Sequence, residues 1–192
     1  MENLLGVLAG IGLSAVCGFR VFVPMLGISV AALTGHLSLA SGFEWIGTRP
    51  ALIAFAVATI LEIAAYYIPV VDNFMDMIAT PAAIVAGTIV TAAFVGDVSP
   101  FLKWTLAVIA GGGSAGIVQA GTVALRAAGQ TTAPIIATLF ITTIETVLST
   151  LVTILAFVAP VLCLIVVIAL CWLLFAVVKR FIGGVRTRLC RN

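Results

Sequence analysis

The chain has 192 residues, 63% of them hydrophobic and 8% charged, with a formal net charge of +2. Soluble domains carry roughly 25% charged residues, so this composition excludes a soluble globular fold and describes an all-α integral membrane protein. A β-barrel is excluded too, because its strands alternate over segments of about ten residues, whereas these apolar runs are long and apolar on every side.

The first run, Leu4 to Leu33, has no Lys or Arg before it, so a cleaved secretory signal is not expected. The residues before Cys17 do not resemble a lipoprotein cleavage site either. Gly6, Gly10, Ser14 and Gly18 recur every four residues, a small-residue stripe that lets helices approach closely. The run is longer than the roughly 20 residues one straight crossing needs, and Gly18, Arg20 and Pro24 interrupt it. They predict a broken helix with a cation inside the membrane.

The second span, Ala51 to Ile68, carries Thr59, Glu62 and Tyr66 on one helical face. At a rise of about 1.5 Å per residue, Glu62 falls near the bilayer midplane. Asp72, Asp76 and Thr80 then repeat every four residues ahead of the third span, Ile78 to Val95. A helix N-terminus favours such an acidic face; a cation-entry or lipid-headgroup metal site is the alternative reading. Ala79, Ala83, Gly87 and Thr91 form a second small-residue stripe.

The fourth span, Trp104 to Leu125, begins near Gly111, Gly112 and Gly113 and contains Gln119; Arg126 falls in the loop after it. The glycine run predicts a second helix break. A phosphate-binding loop does not fit, since no strand precedes the glycines and no Lys-Ser/Thr follows them. In the fifth span, Pro134 to Ala159, Thr138, Thr142, Glu145, Ser149 and Thr153 share one face. That face suits other helices or water rather than lipid. The sixth span, Val161 to Val178, leads into a basic tail.

The two halves resemble each other in three places. LAGIG (Leu8 to Gly12) matches IAGGG (Ile109 to Gly113), a proline precedes each acid (Pro50 before Glu62, Pro134 before Glu145), and Thr59, Glu62, Tyr66 match Thr142, Glu145, Ser149 in spacing. This predicts a three-helix repeat over 1–98, a second over 99–180 and a tail over 181–192. Three spans per half make the repeat inverted. Lys179, Arg180, Arg186, Arg188 and Arg191 lie in the tail, which the positive-inside rule makes cytoplasmic. Six crossings place the N-terminus there also.

Ionisable residues inside a membrane are functional candidates by default. The expected substrate or ion pathway comprises Arg20, Glu62, Tyr66, Gln119, Thr142, Glu145 and Ser149, with backbone freed at Gly18, Pro24 and Gly111 to Gly113. Arg20 has no counterpart in the second half and is expected to pair with Glu62 or Glu145, or to hold an anionic substrate. The reading is a small channel or secondary transporter for a small solute or ion, with a lipid-headgroup translocase or a non-catalytic scaffold as alternatives. No enzyme is expected, since the sole histidine, His36, lies in a loop and no HExxH or GxSxG motif occurs. Without a CxxC pair, no metal or disulfide framework is expected, and no cofactor. The partners expected are the lipid bilayer of a bacterial inner membrane and other copies of the chain, not nucleic acid.

Three segments carry a resemblance: GLSAVCGFRVFVPML near the N-terminus, LEIAAYYIPVVDNFMDMIATPAA with Pro69, Asp72, Asp76 and Pro81, and QAGTVALR followed by the acid of the fifth span. Through them the chain resembles the bacterial membrane family catalogued as domain of unknown function 4126. Gln119 and TTAP stand where that family often has a cation and a proline-rich polar loop. The resemblance implies a membrane fold and no particular chemistry.

Overall fold

The computed structural model describes the backbone of residues 2–96, 98–130 and 134–189; side chains of 2–4, 69, 70, 72, 73, 128–130, 134–138, 178 and 180–189 lie outside that description. The described elements are helical: α1 (Glu2–Cys17), α2 (Phe22–Leu33), a 3-10 turn (Glu44–Gly47), α3 (Arg49–Tyr66), α4 (Pro69–Phe94), α5 (Pro100–Leu106), a π-helical segment (Ala107–Gly112), α6 (Gly113–Gln130), α7 (Pro134–Val158) and α8 (Pro160–Leu189). Prolines open α4, α5, α7 and α8, where the missing N–H costs nothing and φ is already helical. Thr48 and Ser99 cap α3 and α5 through the N–H groups of Ala51 and Leu102.

Among the described residues, five segments are long and apolar enough to cross a membrane: Arg49–Tyr66, Phe74–Phe94, Pro100–Ala127, Leu139–Val158 and Pro160–Val177. They match the second to sixth predicted spans. The first predicted span is different. It is broken, as Gly18 and Pro24 suggest, into two helices of 16 and 12 residues, each shorter than the roughly 20 residues a crossing needs.

The contacts fix the direction of these two helices. On α1, Gly6 and Gly10 pack against Phe94 while Ser14 donates to the Gly87 carbonyl at 2.7 Å, so α1 runs antiparallel to α4. On α2, the N–H of Val21 meets Glu62 while Ser29 donates to the Ile46 carbonyl at 2.6 Å, so α2 runs antiparallel to α3. Since α3 and α4 are antiparallel neighbours joined by a short turn, α1 and α2 oppose each other. The first run is therefore a re-entrant helical hairpin whose tip, Gly18 to Val21, lies inside the bundle. A proline at position 24 favours the break itself: in a continuous helix its ring would strike the carbonyl of residue 20.

Two expectations change as a result. Five crossing-length segments and a hairpin that turns back put the start of α1 and the end of α8 at opposite ends of the bundle. The halves also do not keep one relation throughout. Helices α3 and α7, which carry Glu62 and Glu145, run in opposite directions, as an inverted repeat requires. The glycine-rich α1 and α6 run in the same direction, because both oppose α4.

Gly111, Gly112 and Gly113 do not break the chain. Helix continues from Pro100 to Gln130, with one π-helical stretch ending at Gly112. The glycines instead permit close packing on α4. A Cβ at Gly111 would fall on Thr91 and the Gly87 carbonyl, and one at Gly112 would lie 2.6 Å from Thr88 Oγ1. The π turn absorbs the extra residue that this approach imposes. The core lies between the hairpin, α4, α6, α7 and α8, with Leu13, Val16, Ile28, Val90, Val118 and Cys163 among its buried members.

Candidate functional site

The hairpin tip begins where α1 ends, just before Gly18. The Gly18 N–H bonds back to Ala15, Phe19 and Arg20 bond back to Val16, and the backbone then turns. Gly18 sits so close to α6 that a Cβ would fall on the Ala115 carbonyl and 2.6 Å from Val118 Cβ. Beyond the turn, the first N–H groups of α2 have no intrahelical acceptor. Glu62 supplies one: its Oε1 accepts from Val21 N at 2.7 Å and its Oε2 from Phe22 N at 3.1 Å. A carboxylate from a neighbouring helix thus caps the half-helix, where the helix dipole also favours negative charge.

Arg20 is completely buried. Its Nε donates to Thr146 Oγ1 and its Nη2 to the Thr142 carbonyl, both at 3.2 Å, and Nη2 lies 3.7 Å from Glu145 Oε2. The guanidinium stands over the Tyr66 ring, 4.2 Å from its centroid. Arg20 therefore pairs with Glu145, while Glu62 is engaged by backbone.

A second arginine completes the centre. Arg126 donates to Glu145 Oε2 through Nη2 and to Asp76 Oδ1 through Nη1, the latter at 2.7 Å, and its guanidinium is 4.1 Å from the same Tyr66 centroid. The hairpin, α3, α4, α6 and α7 thus each send a charged or aromatic side chain to one buried point. Cation–π contact in a desolvated setting contributes about 2 kcal/mol. It also holds two guanidinium groups against one ring.

Among the predicted site residues, the structure brings Arg20, Glu62, Tyr66, Thr142 and Glu145 together. Ser149 is buried one turn beyond Glu145 on α7, and Gln119 is buried on α6 next to Gly18. Pro24 lies in the first turn of α2, after the break itself. Asp76 is not part of a free acidic face: it is two turns into α4 and bonded to Arg126. The side chains of Asp72 and Thr138 lie outside the described residues.

Arg126 is the residue that sequence reasoning assigned to a loop. It is inside α6 and 3% exposed. A signal existed: Gln119, Thr122 and Arg126 advance by three and four, continuing a polar face past the predicted span end.

At the end of the bundle where α1, α5 and α8 begin and α2, α4 and α7 finish, a cavity of about 1500 Å³ is lined by residues that include His36, Phe43, Lys103, Trp104, Thr153 and Phe157. Lys103 stands 4.8 Å from the centroid of Phe43. Thr153 belongs to the same α7 face as Glu145. No group of three or more His, Cys, Asp or Glu suited to a metal ion occurs among the described residues.

A family model described as domain of unknown function (DUF4126) matches residues 7–180. The chain belongs to the DUF4126 family. No curated protein and no solved structure matches it. The segments that give it the DUF4126 resemblance are the ones that meet at the buried centre. GLSAVCGFRVFVPML forms the hairpin tip, LEIAAYYIPVVDNFMDMIATPAA supplies Glu62, Tyr66 and Asp76, and QAGTVALR supplies Gln119 and Arg126.

Proposed function

We propose that this DUF4126 protein is a small channel or secondary transporter of the inner membrane that moves a small solute or ion past the centre formed by Arg20, Arg126 and Glu145. The observation that carries the reading is the convergence of these charges with Asp76 at the tip of a re-entrant hairpin. Non-helical backbone at membrane depth is tolerated where protein buries it or where it lines a water-filled path. Half-helices meeting near the midplane are how many transporters build a site. A scaffold gains little from such a centre, because replacing buried ion pairs with apolar side chains is often neutral or stabilising.

The cavity beside Thr153 is the entry on one side, and the Arg126 bridge from Glu145 to Asp76 closes the other. By the positive-inside rule the end of α8, followed by the basic tail, is cytoplasmic. The cavity then opens outward. In proteoliposomes, a screen of small ions and solutes should find at least one gradient that the protein dissipates, with the flux lost in Arg20→Gln. If no gradient of protons, alkali cations, halides or small neutral solutes responds, the transport reading is wrong.

A further inference from the structure

Buried polar atoms with no hydrogen-bond partner include Arg20 Nη1, Thr142 Oγ1, Glu145 Oε1, Ser149 Oγ and Thr153 Oγ1. Four of the five belong to one face of α7, at intervals of three, four and four residues. Ordinary helix chemistry does not account for them. On the same helix Thr143, Thr146 and Thr150 each donate to the carbonyl four residues earlier, at 2.8 Å. Thr142, Ser149 and Thr153 do not, although the same acceptor type is available to them.

An unsatisfied buried polar group costs about 1–3 kcal/mol, and internal water is the usual remedy where several such groups line up. Successive members Glu145, Ser149 and Thr153 are about 6 Å apart along the helix axis at four residues per step. One bridging water, with hydrogen bonds of about 2.8 Å on each side, spans that distance. The file begins at the cavity, which Thr153 lines, and ends at the bare Oε1 of Glu145. On the far side, Arg126 occupies the other carboxylate oxygen and ties it to Asp76.

We propose that Glu145 is a proton-binding group, loaded from the cavity end through a file of water held by Thr153 and Ser149. Resting on the transport reading above, it makes the proton the coupling ion. Glu62 does not share this role, because both its oxygens are taken by the N–H groups of Val21 and Phe22. Among the described residues, the charged groups acting on Glu145 are Arg20 from the hairpin, Asp76 from α4 and Arg126 from α6, and Tyr66 from α3 lies against both arginines. Helix α8 brings no acidic or basic side chain between Pro160 and Val177.

A proton arriving along the file bonds to Oε1 and leaves the carboxyl neutral, which weakens its hold on both arginines. Arg126 then keeps Asp76, and Arg20 keeps the Thr142 carbonyl, Thr146 and the Tyr66 ring. Release of the proton from the same oxygen restores the ion pairs. No other bond changes.

Two measurements on the full chain test this. With Cys17, Cys163, Cys171 and Cys190 replaced by alanine, Ser149→Cys and Thr153→Cys in sealed vesicles should react with a small water-borne methanethiosulfonate cation added on the cavity side, and not with reagent on the other. Independently, pH-difference infrared spectra should show a carboxylic-acid band that shifts in D2O, is lost in Glu145→Gln and persists in Glu62→Gln. The infrared comparison decides the matter if the cysteine-free chain does not fold. A band that belongs to Glu62, or a Ser149→Cys that reacts from neither side of the folded protein, overturns the proposal. Labelling and the band as expected, with no flux of any solute or ion, would remove transport and leave the proton site standing. Flux indifferent to a proton gradient, with no Glu145 band, would do the reverse.

Discussion

Glu62 caps a helix to which it does not belong: from α3 it accepts the backbone N–H of Val21 at 2.7 Å, at the start of α2. The hairpin tip is thereby tied to the second crossing helix. Removing the side chain in Glu62→Ala strands the N–H groups of Val21 and Phe22 inside the protein, at a cost of about 1–3 kcal/mol for each buried donor. Glu62→Gln retains one acceptor oxygen and turns its amide toward the other donor. Thermal unfolding in detergent should therefore rank wild type above Glu62→Gln and Glu62→Gln above Glu62→Ala. An Ala variant as stable as wild type would show that the cap has no energetic role.

Arg126 joins Glu145 to Asp76. Arg126→Met deletes the cation that holds both carboxylates, a change that costs about 3–5 kcal/mol when one partner of a buried pair is removed. Adding Glu145→Gln to the same chain takes away one of the two acids that lost this partner and should restore part of the loss. A double-mutant cycle reads the coupling directly. Simple additivity of the two substitutions would mean that these charges do not feel each other.

The three adjacent glycines should respond differently to alanine. At Gly111 a Cβ meets Thr91 and the Gly87 backbone, while at Gly113 nothing lies within 4 Å. Gly113→Ala should stabilise the chain by up to about 1 kcal/mol, the ordinary helix preference of alanine over glycine. Gly111→Ala should lower stability by about 1–3 kcal/mol, the usual cost of overpacking. Equal and small shifts at both positions would contradict the close contact between the π-helical segment and α4.

The re-entrant hairpin makes a topological prediction. Leu5, exposed near the start of α1, and Ser41, in the exposed loop beyond α2, lie at the same end of the bundle. Leu5→Cys and Ser41→Cys, each as the sole cysteine, should react with an impermeant thiol reagent from the same side of a sealed vesicle. Modification of the two from opposite sides would mean that the first run crosses the membrane after all.

The sequence carried enough to recognise the membrane class, the crossings from Arg49 onward, the break between Gly18 and Pro24, and the acids of α3 and α7 as buried. Those features depend on local physics. About 20 apolar residues span a bilayer wherever they occur, a proline cannot continue a helix, and an ionised side chain within an apolar run must find a partner. The expectation that Arg20 pairs with Glu62 or Glu145 was also within reach, since these were the acids nearest in depth.

Tertiary packing decided the rest. A broken apolar run of thirty residues has two outcomes, a kinked crossing or a hairpin that turns back. Nothing local separates them, because the choice depends on Ser14 finding Gly87 and on Val21 finding Glu62. The same holds for GGG: flexibility in isolation, close packing once α4 lies against it. Arg126 reads as a loop cation in the sequence because it directly follows the apolar run that ends at Leu125. Only the fold shows that Asp76 and Glu145, 50 positions before it and 19 after it, converge on its guanidinium. Composition and periodicity determine that this chain enters the membrane and which residues it must shield there. Which charge shields which is decided by non-local contacts, whose energies exist only after the helices have packed.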